Sequence, residues 1–208
     1  MNSGVCLVVC LLLTQGVAAV TFPHGFHWDW RSAQELSAAQ SLGKLKVSNS
    51  GRAAIAKAIE AQTRPDMSAL EIKSEADLLK AALDTRIKMI DLNGDGVPEV
   101  IAQGMGVADC GAVGNCSFWV FQKTRAGYKL LLDGGGQTFT IQKRSTGGFK
   151  EIVVAHHDSA GESGLTVYRY IAGAYQSVAC YDANFWSWDG GTYHELKEPQ
   201  VTPTPCEP

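Results

Sequence analysis

From Thr85 onward the chain is a succession of short runs rich in Val, Ile, Phe, Tyr and Trp, cut apart by glycine-containing turns. Runs of this length and composition predict strands joined by hairpins. They cover residues 117–123, 128–132, 138–142, 149–155, 165–171, 175–180, 185–188 and 192–196. Asp189-Gly190-Gly191 is a strong hairpin turn between the last two. Before Thr85 the texture is helical. Residues 32–45 predict a first helix. Residues 51–61 predict a second, with Ser50 as N-cap, Ile55, Ala58, Ile59 and Gln62 on one face, and Arg64-Pro65 as its end. A third starts at Ser74, whose spacing to Asp77 is that of a capping box. The expected class is α+β, with N-terminal helices followed by an antiparallel β-meander.

One turn carries chemistry. In Asp91-Leu92-Asn93-Gly94-Asp95-Gly96-Val97-Pro98-Glu99, oxygen-bearing side chains recur at every second position, and a carboxylate follows four residues after Asp95. A hard cation takes six to eight oxygens at about 2.3–2.6 Å, and a curled loop supplies them in this rhythm. An EF-hand is excluded, because its twelfth position needs a bidentate Glu and here it is Ala102. The flanks read as strands, not helices. The expected ligands are the side chains of Asp91, Asn93, Asp95 and Glu99 and the carbonyl of Val97, with calcium as the ion. The competing reading is an Asx-rich turn that holds itself with hydrogen bonds and no metal. The run resembles the metal loop of FG-GAP/VCBS-type repeats, the blades of integrin-like β-propellers. That resemblance implies blade-like sheets and a calcium site.

An internal repeat points the same way. Pro98-Glu99-Val100-Ile101-Ala102 aligns with Lys150-Glu151-Ile152-Val153-Val154, and Phe118-Trp119-Val120-Phe121 aligns with Leu165-Thr166-Val167-Tyr168. The copies cover about residues 85–133 and 137–180, with a C-terminal hairpin and a Pro-rich tail at 199–208. Copy two replaces the acidic loop with Arg144-Ser145-Thr146-Gly147-Gly148, so only copy one is expected to hold metal. Two blade-like units cannot close a propeller, which takes at least about four.

The chain has 208 residues, a formal charge of −3 and an isoelectric point near 5.9, with no basic stripe. Nucleic acid and anionic membranes are therefore not its expected partners. The apolar run 5–13 has the length of a signal-peptide core and is too short to span a bilayer. Val17-Ala18-Ala19 places small residues for cleavage after Ala19, so residues 1–19 are read as a signal peptide and the protein as secreted or periplasmic. No later segment is long and apolar enough to be expected to cross a membrane. Val9 before Cys10 disfavours lipidation there.

Four cysteines follow: Cys110, Cys116, Cys180 and Cys206. An even number in an exported chain predicts two disulfides with three possible connectivities. Proximity favours Cys110–Cys116 and Cys180–Cys206; the spacings match no zinc pattern, and there is no Cys-x-x-Cys.

His156-His157-Asp158, with Glu162 near by, is the catalytic suspect, although adjacent strand residues point to opposite faces. His24, His27 and Asp29 look metal-like beside Phe22, Phe26, Trp28 and Trp30, but docking of these aromatics onto the sheet is the simpler expectation. Trp119, Phe121, Tyr128, Tyr168, Tyr170 and Tyr175 are expected mainly in the core, or as a recognition patch if they face outward together. The expected function is an exported, disulfide-stabilised, calcium-binding domain that recognises a protein or glycan ligand without catalysis. The alternatives are a hydrolase using His156 or His157 with a nearby carboxylate, and a secreted inhibitor or envelope-associated protein.

Overall fold

The computed structural model describes residues 26, 28–36 and 39–206. The signal-peptide run, Ala19, His24 and His27 lie outside the described residues. Along the chain come β1 (Gln34–Glu35), β2 (Gln40–Ser41), α1 (Asn49–Thr63), α2 (Glu75–Asp84), β3 (Arg86–Ile90), β4 (Glu99–Gln103) and α3 (Val107–Cys110). Then follow β5 (Cys116–Thr124), β6 (Gly127–Gly136), β7 (Thr138–Thr146), β8 (Phe149–Ser159), β9 (Glu162–Ile171), β10 (Ala174–Trp188) and β11 (Tyr193–Thr204). They form two antiparallel sheets, ordered β2-β3-β4-β5-β6 and β1-β7-β8-β9-β10-β11, and neither is a closed barrel. The α+β expectation holds at this level.

The alternation of side chains explains the layering. In β5, Phe118 and Val120 point into a core shared with the second sheet, where Phe139, Ile152 and Val154 meet them. Trp119 and Phe121 point the other way, onto Ile55, Ala56 and Ile59 of α1. In β8, Ile152 and Val154 face the first sheet while Val153 and Ala155 face outward, beneath Trp28. Strands buried on both faces read as continuous apolar runs, as 152–155 does. Aligned positions show how the sheets stack. Ile101, Phe118 and Val120 of the first sheet face the second, whereas Val153, Leu165 and Val167 face away from the first. The sheets are therefore stacked front to back, like successive layers, and are not mirrored face to face.

Both long helices are capped by serine. Ser74 Oγ accepts from the Asp77 N–H at 3.1 Å, at the expected position. For α1 the cap is Ser48, not Ser50: Ser48 has extended backbone and its Oγ accepts from Gly51 N–H at 3.1 Å, so the helix starts earlier. Ser48→Ala is expected to cost about 1 kcal/mol in denaturant unfolding. Among the described residues of 32–45 the predicted α-helix is absent. They hold the last residue of a 3₁₀ turn (Trp30–Ser32), β1, β2 and a second 3₁₀ turn (Leu42–Lys44). Gln34 pairs with Phe139 and Gln40 with Ile87, so the chain passes from the edge of one sheet to the edge of the other. Burial of Leu36 between the sheets and Leu42 against α1 outweighs a modest helix propensity. The Pro-rich segment also joins a sheet, because β11 runs to Thr204. As an edge strand it tolerates Pro199 and Pro203, whose missing N–H groups are not needed on the outer side.

Candidate metal loop and surrounding sites

The Asp91–Glu99 segment joins β3 to β4 where the two sheets meet. Leu92 is the pivot: its N–H donates to Glu99 Oε2 at 2.9 Å, and its carbonyl accepts from Lys150 N–H of β8 at 2.8 Å. Gly94 and Gly96 have φ of 77° and 82°, a left-handed conformation that side-chain-bearing residues adopt only under strain. The loop is held by its own oxygens. Asp91 accepts from Gly94 N–H at 2.7 Å and Gly96 N–H at 3.0 Å, and Asn93 Oδ1 accepts from Asp95 N–H at 2.9 Å. Asp95 Oδ1 accepts from Val97 N–H at 2.7 Å, and Asp95 Oδ2 accepts from the Asn93 amide at 2.9 Å.

Every expected ligand position offers oxygen, the donor a hard cation takes. However, Asp91, Asp95 and Glu99 do not bring three carboxylate oxygens within 4.8 Å of one another. Their present rotamers are those of a hydrogen-bonded turn. Partial desolvation acts to raise the Asp91 carboxyl, but the N–H groups of Gly96 and Gly94 outweigh it and hold Asp91 below the usual carboxylate range. Glu99 behaves oppositely. It is 1% exposed, and burial pushes its carboxyl up against the Leu92 N–H, with Asp95 and Asp91 adding to the rise.

The aligned residue in the second sheet makes an instructive contrast. Glu151 is 4% exposed, and its Oε1 accepts from Thr146 Oγ1 at 2.7 Å and lies 3.1 Å from Arg144 Nε and 2.9 Å from Arg169 Nε. One buried glutamate faces arginines, and its counterpart faces an acidic loop.

The cysteines pair as Cys110–Cys116 and Cys180–Cys206. Among the described residues, the one His/Cys/Asp/Glu group tight enough for a metal is Asp109 with Cys110 and Cys116. Its sulfurs are joined to each other, so it offers one carboxylate and no thiolate.

His156 packs its ring across the face of Gly164 and lies 3.4 Å from Asp158 Oδ1. The two line a shallow cleft of about 390 Å³ with Thr166 and Ser177. No hydroxyl or thiol hydrogen-bonds to His156 among the described residues, so no nucleophile and base are joined there. His157 is tied through its backbone to Asn115, and Glu162 receives Ser159 Oγ at 3.0 Å, so neither joins the pair.

The aromatics sort as alternation requires. Trp119, Phe121 and Tyr175 are buried, and Tyr128, Tyr168 and Tyr170 pack at the core margin. Trp28 docks on the second sheet, its Nε1 donating to Thr140 Oγ1 at 3.2 Å, and Asp29 lines a groove beside it. The outward aromatics are others. Trp188 and Tyr193 are 57% and 68% exposed, with ring centroids 4.8 Å apart at the β10–β11 tip, and Trp186 stands near by. The every-second-residue spacing of Trp186 and Trp188 was the available signal for this patch.

Among the described residues no helix is long and apolar enough to cross a membrane. No family model, curated protein or solved structure matches this chain.

Proposed function

We propose that this chain is an exported, disulfide-stabilised binding domain of two FG-GAP/VCBS-like blades, in which calcium pins the Asp91–Glu99 turn at the seam between the sheets. The observation that carries the reading is Glu99: a buried carboxylate set against Asp91 and Asp95, without the arginines that its counterpart Glu151 has. A bound cation would supply the missing positive charge. Asp91, Asn93 and Asp95 would turn side-chain oxygens toward it, with the Val97 carbonyl and Glu99 completing the set. Paired disulfides support an oxidising compartment, and hence export. The exposed Trp188–Tyr193 pair is the surface best suited to a protein or glycan partner, since aromatics supply rigid, amphipathic contact area.

Extracellular calcium modules bind with constants of about 10⁻⁴–10⁻³ M. At millimolar calcium such a site adds about 0.4–1.4 kcal/mol by linkage, enough to order a loop and too little to build the fold. EDTA is therefore expected to lower Tm by about 1–5 °C without unfolding the protein. Calorimetric titration should show calcium binding that Asp95→Ala abolishes. An identical isotherm for the variant and its parent would remove the site.

A further inference from the structure

The outer face of the second sheet carries a groove of about 680 Å³, a size that suits a small organic ligand. Its lining is mixed, with Phe26, Val167 and Ala179 beside Gln142, Arg144, Arg169 and Tyr181, which bring donors, and Asp29 and Glu151, which accept. Tyr181 is 4% exposed, yet its buried hydroxyl has no hydrogen-bond partner among the described residues. The buried amide nitrogen of Gln142 has none either. Arg144 and Arg169 each direct Nε at Glu151 Oε1, and Arg169 does so with poor hydrogen-bond alignment. The Arg144 side chain is 64% exposed and that of Arg169 22%, so the ends of both guanidinium forks stay reachable from the groove. Burial pushes the Tyr181 phenol up despite the Arg169 charge, so at neutral pH it is an O–H donor.

Unsatisfied buried donors are costly, and they persist where something else satisfies them. The charge balance defines that something. Lys143, Arg144 and Arg169 face Asp29 and Glu151 along the groove, leaving one positive charge in excess. Two guanidinium forks match the planar or tetrahedral oxygens of an oxyanion. Beside them Phe26 stacks on the Tyr181 ring at 4.2 Å and 14°, with Val167 and Ala179 adjoining, an apolar wall for a ring-shaped body. We infer that this groove is a binding site for a small anionic compound of about monosaccharide size, carrying a carboxylate or phosphate that Arg144, Arg169, Tyr181 and Gln142 receive. The site is separate from the calcium loop and does not depend on it.

Calorimetric titration of the full chain with glucuronate, glucose 6-phosphate and glucose tests this. Millimolar or tighter binding of either acid with no binding of glucose is the expected result; glucuronate alone assigns a carboxylate ligand, glucose 6-phosphate alone a phosphate. Absence of binding by both acids, or equal binding of glucose, overturns the inference. Arg169→Gln is expected to abolish binding but also strips Glu151 of a counter-charge, so Tyr181→Phe is the discriminating variant. It deletes a hydroxyl that has no partner in the unliganded protein. Tm is expected unchanged or higher, while affinity falls about tenfold, the scale of one lost hydrogen bond. A lowered Tm with unchanged affinity would show that the hydroxyl serves the fold and not a ligand.

Discussion

Phe118→Ala is expected to lower unfolding free energy by about 3–5 kcal/mol, the upper range for truncating a buried side chain. Phe118 is 1% exposed and its ring lies 5.5 Å from that of Phe139, across the boundary between the sheets. Truncation removes the transfer free energy of the ring and leaves a cavity walled by both sheets. Neither wall can collapse without breaking its own ladder. Denaturant titration should show a lower midpoint with little change in slope, because the same surface is exposed on unfolding. Trp188→Ala, at an exposed hairpin tip, is expected to stay within about 0.5 kcal/mol of the parent and serves as the control. A loss below about 1 kcal/mol for Phe118→Ala would mean that the two sheets do not share a core.

Glu99→Gln is expected to stabilise the calcium-free protein at neutral pH and to erase the stabilisation by calcium. Burial raises the Glu99 pKa above the ordinary glutamate value near 4.5, so in the folded chain the charged form is penalised. Below that ordinary value both folded and unfolded states are protonated and no penalty exists. As pH rises through the raised folded pKa the penalty develops, so the chelated parent should lose stability in that window, and the glutamine variant should not. Asp91 acts in the opposite sense. Its lowered pKa contributes stability present above the ordinary aspartate value near 3.8 and lost as pH falls through the folded pKa. Thermal melts of parent and variant across this range, with EDTA and with calcium, separate the two groups. A glutamine variant that melts below its parent in EDTA, or that gains as much from calcium, would falsify the assignment of Glu99 as a ligand.

What could be read in the chain was local. The strand runs, the turn at Asp189-Gly190-Gly191 and the Ser74 cap depend on contacts within a few residues and are found near where those residues place them, except that the runs 175–180 and 185–188 are one strand, β10, and the last run continues to Thr204. Proximity alone selected the cysteine pairs that form. The oxygen rhythm of residues 91–99 was visible, and so was the aligned Glu151 with its basic loop. The fate of residues 32–45 was not legible, because edge pairing with Phe139 and Ile87 outweighed their own propensity. The groove was invisible for the same reason: Gln142, Arg144, Arg169 and Tyr181 come from three strands and converge only when the sheet forms. Outside residues 32–45, the sequence by itself determined which segments extend, which coil and where they turn, since those choices are settled mostly by neighbours along the chain. Only the tertiary structure decided which faces are covered and which donors are left without acceptors, because burial and pairing depend on residues far apart in sequence.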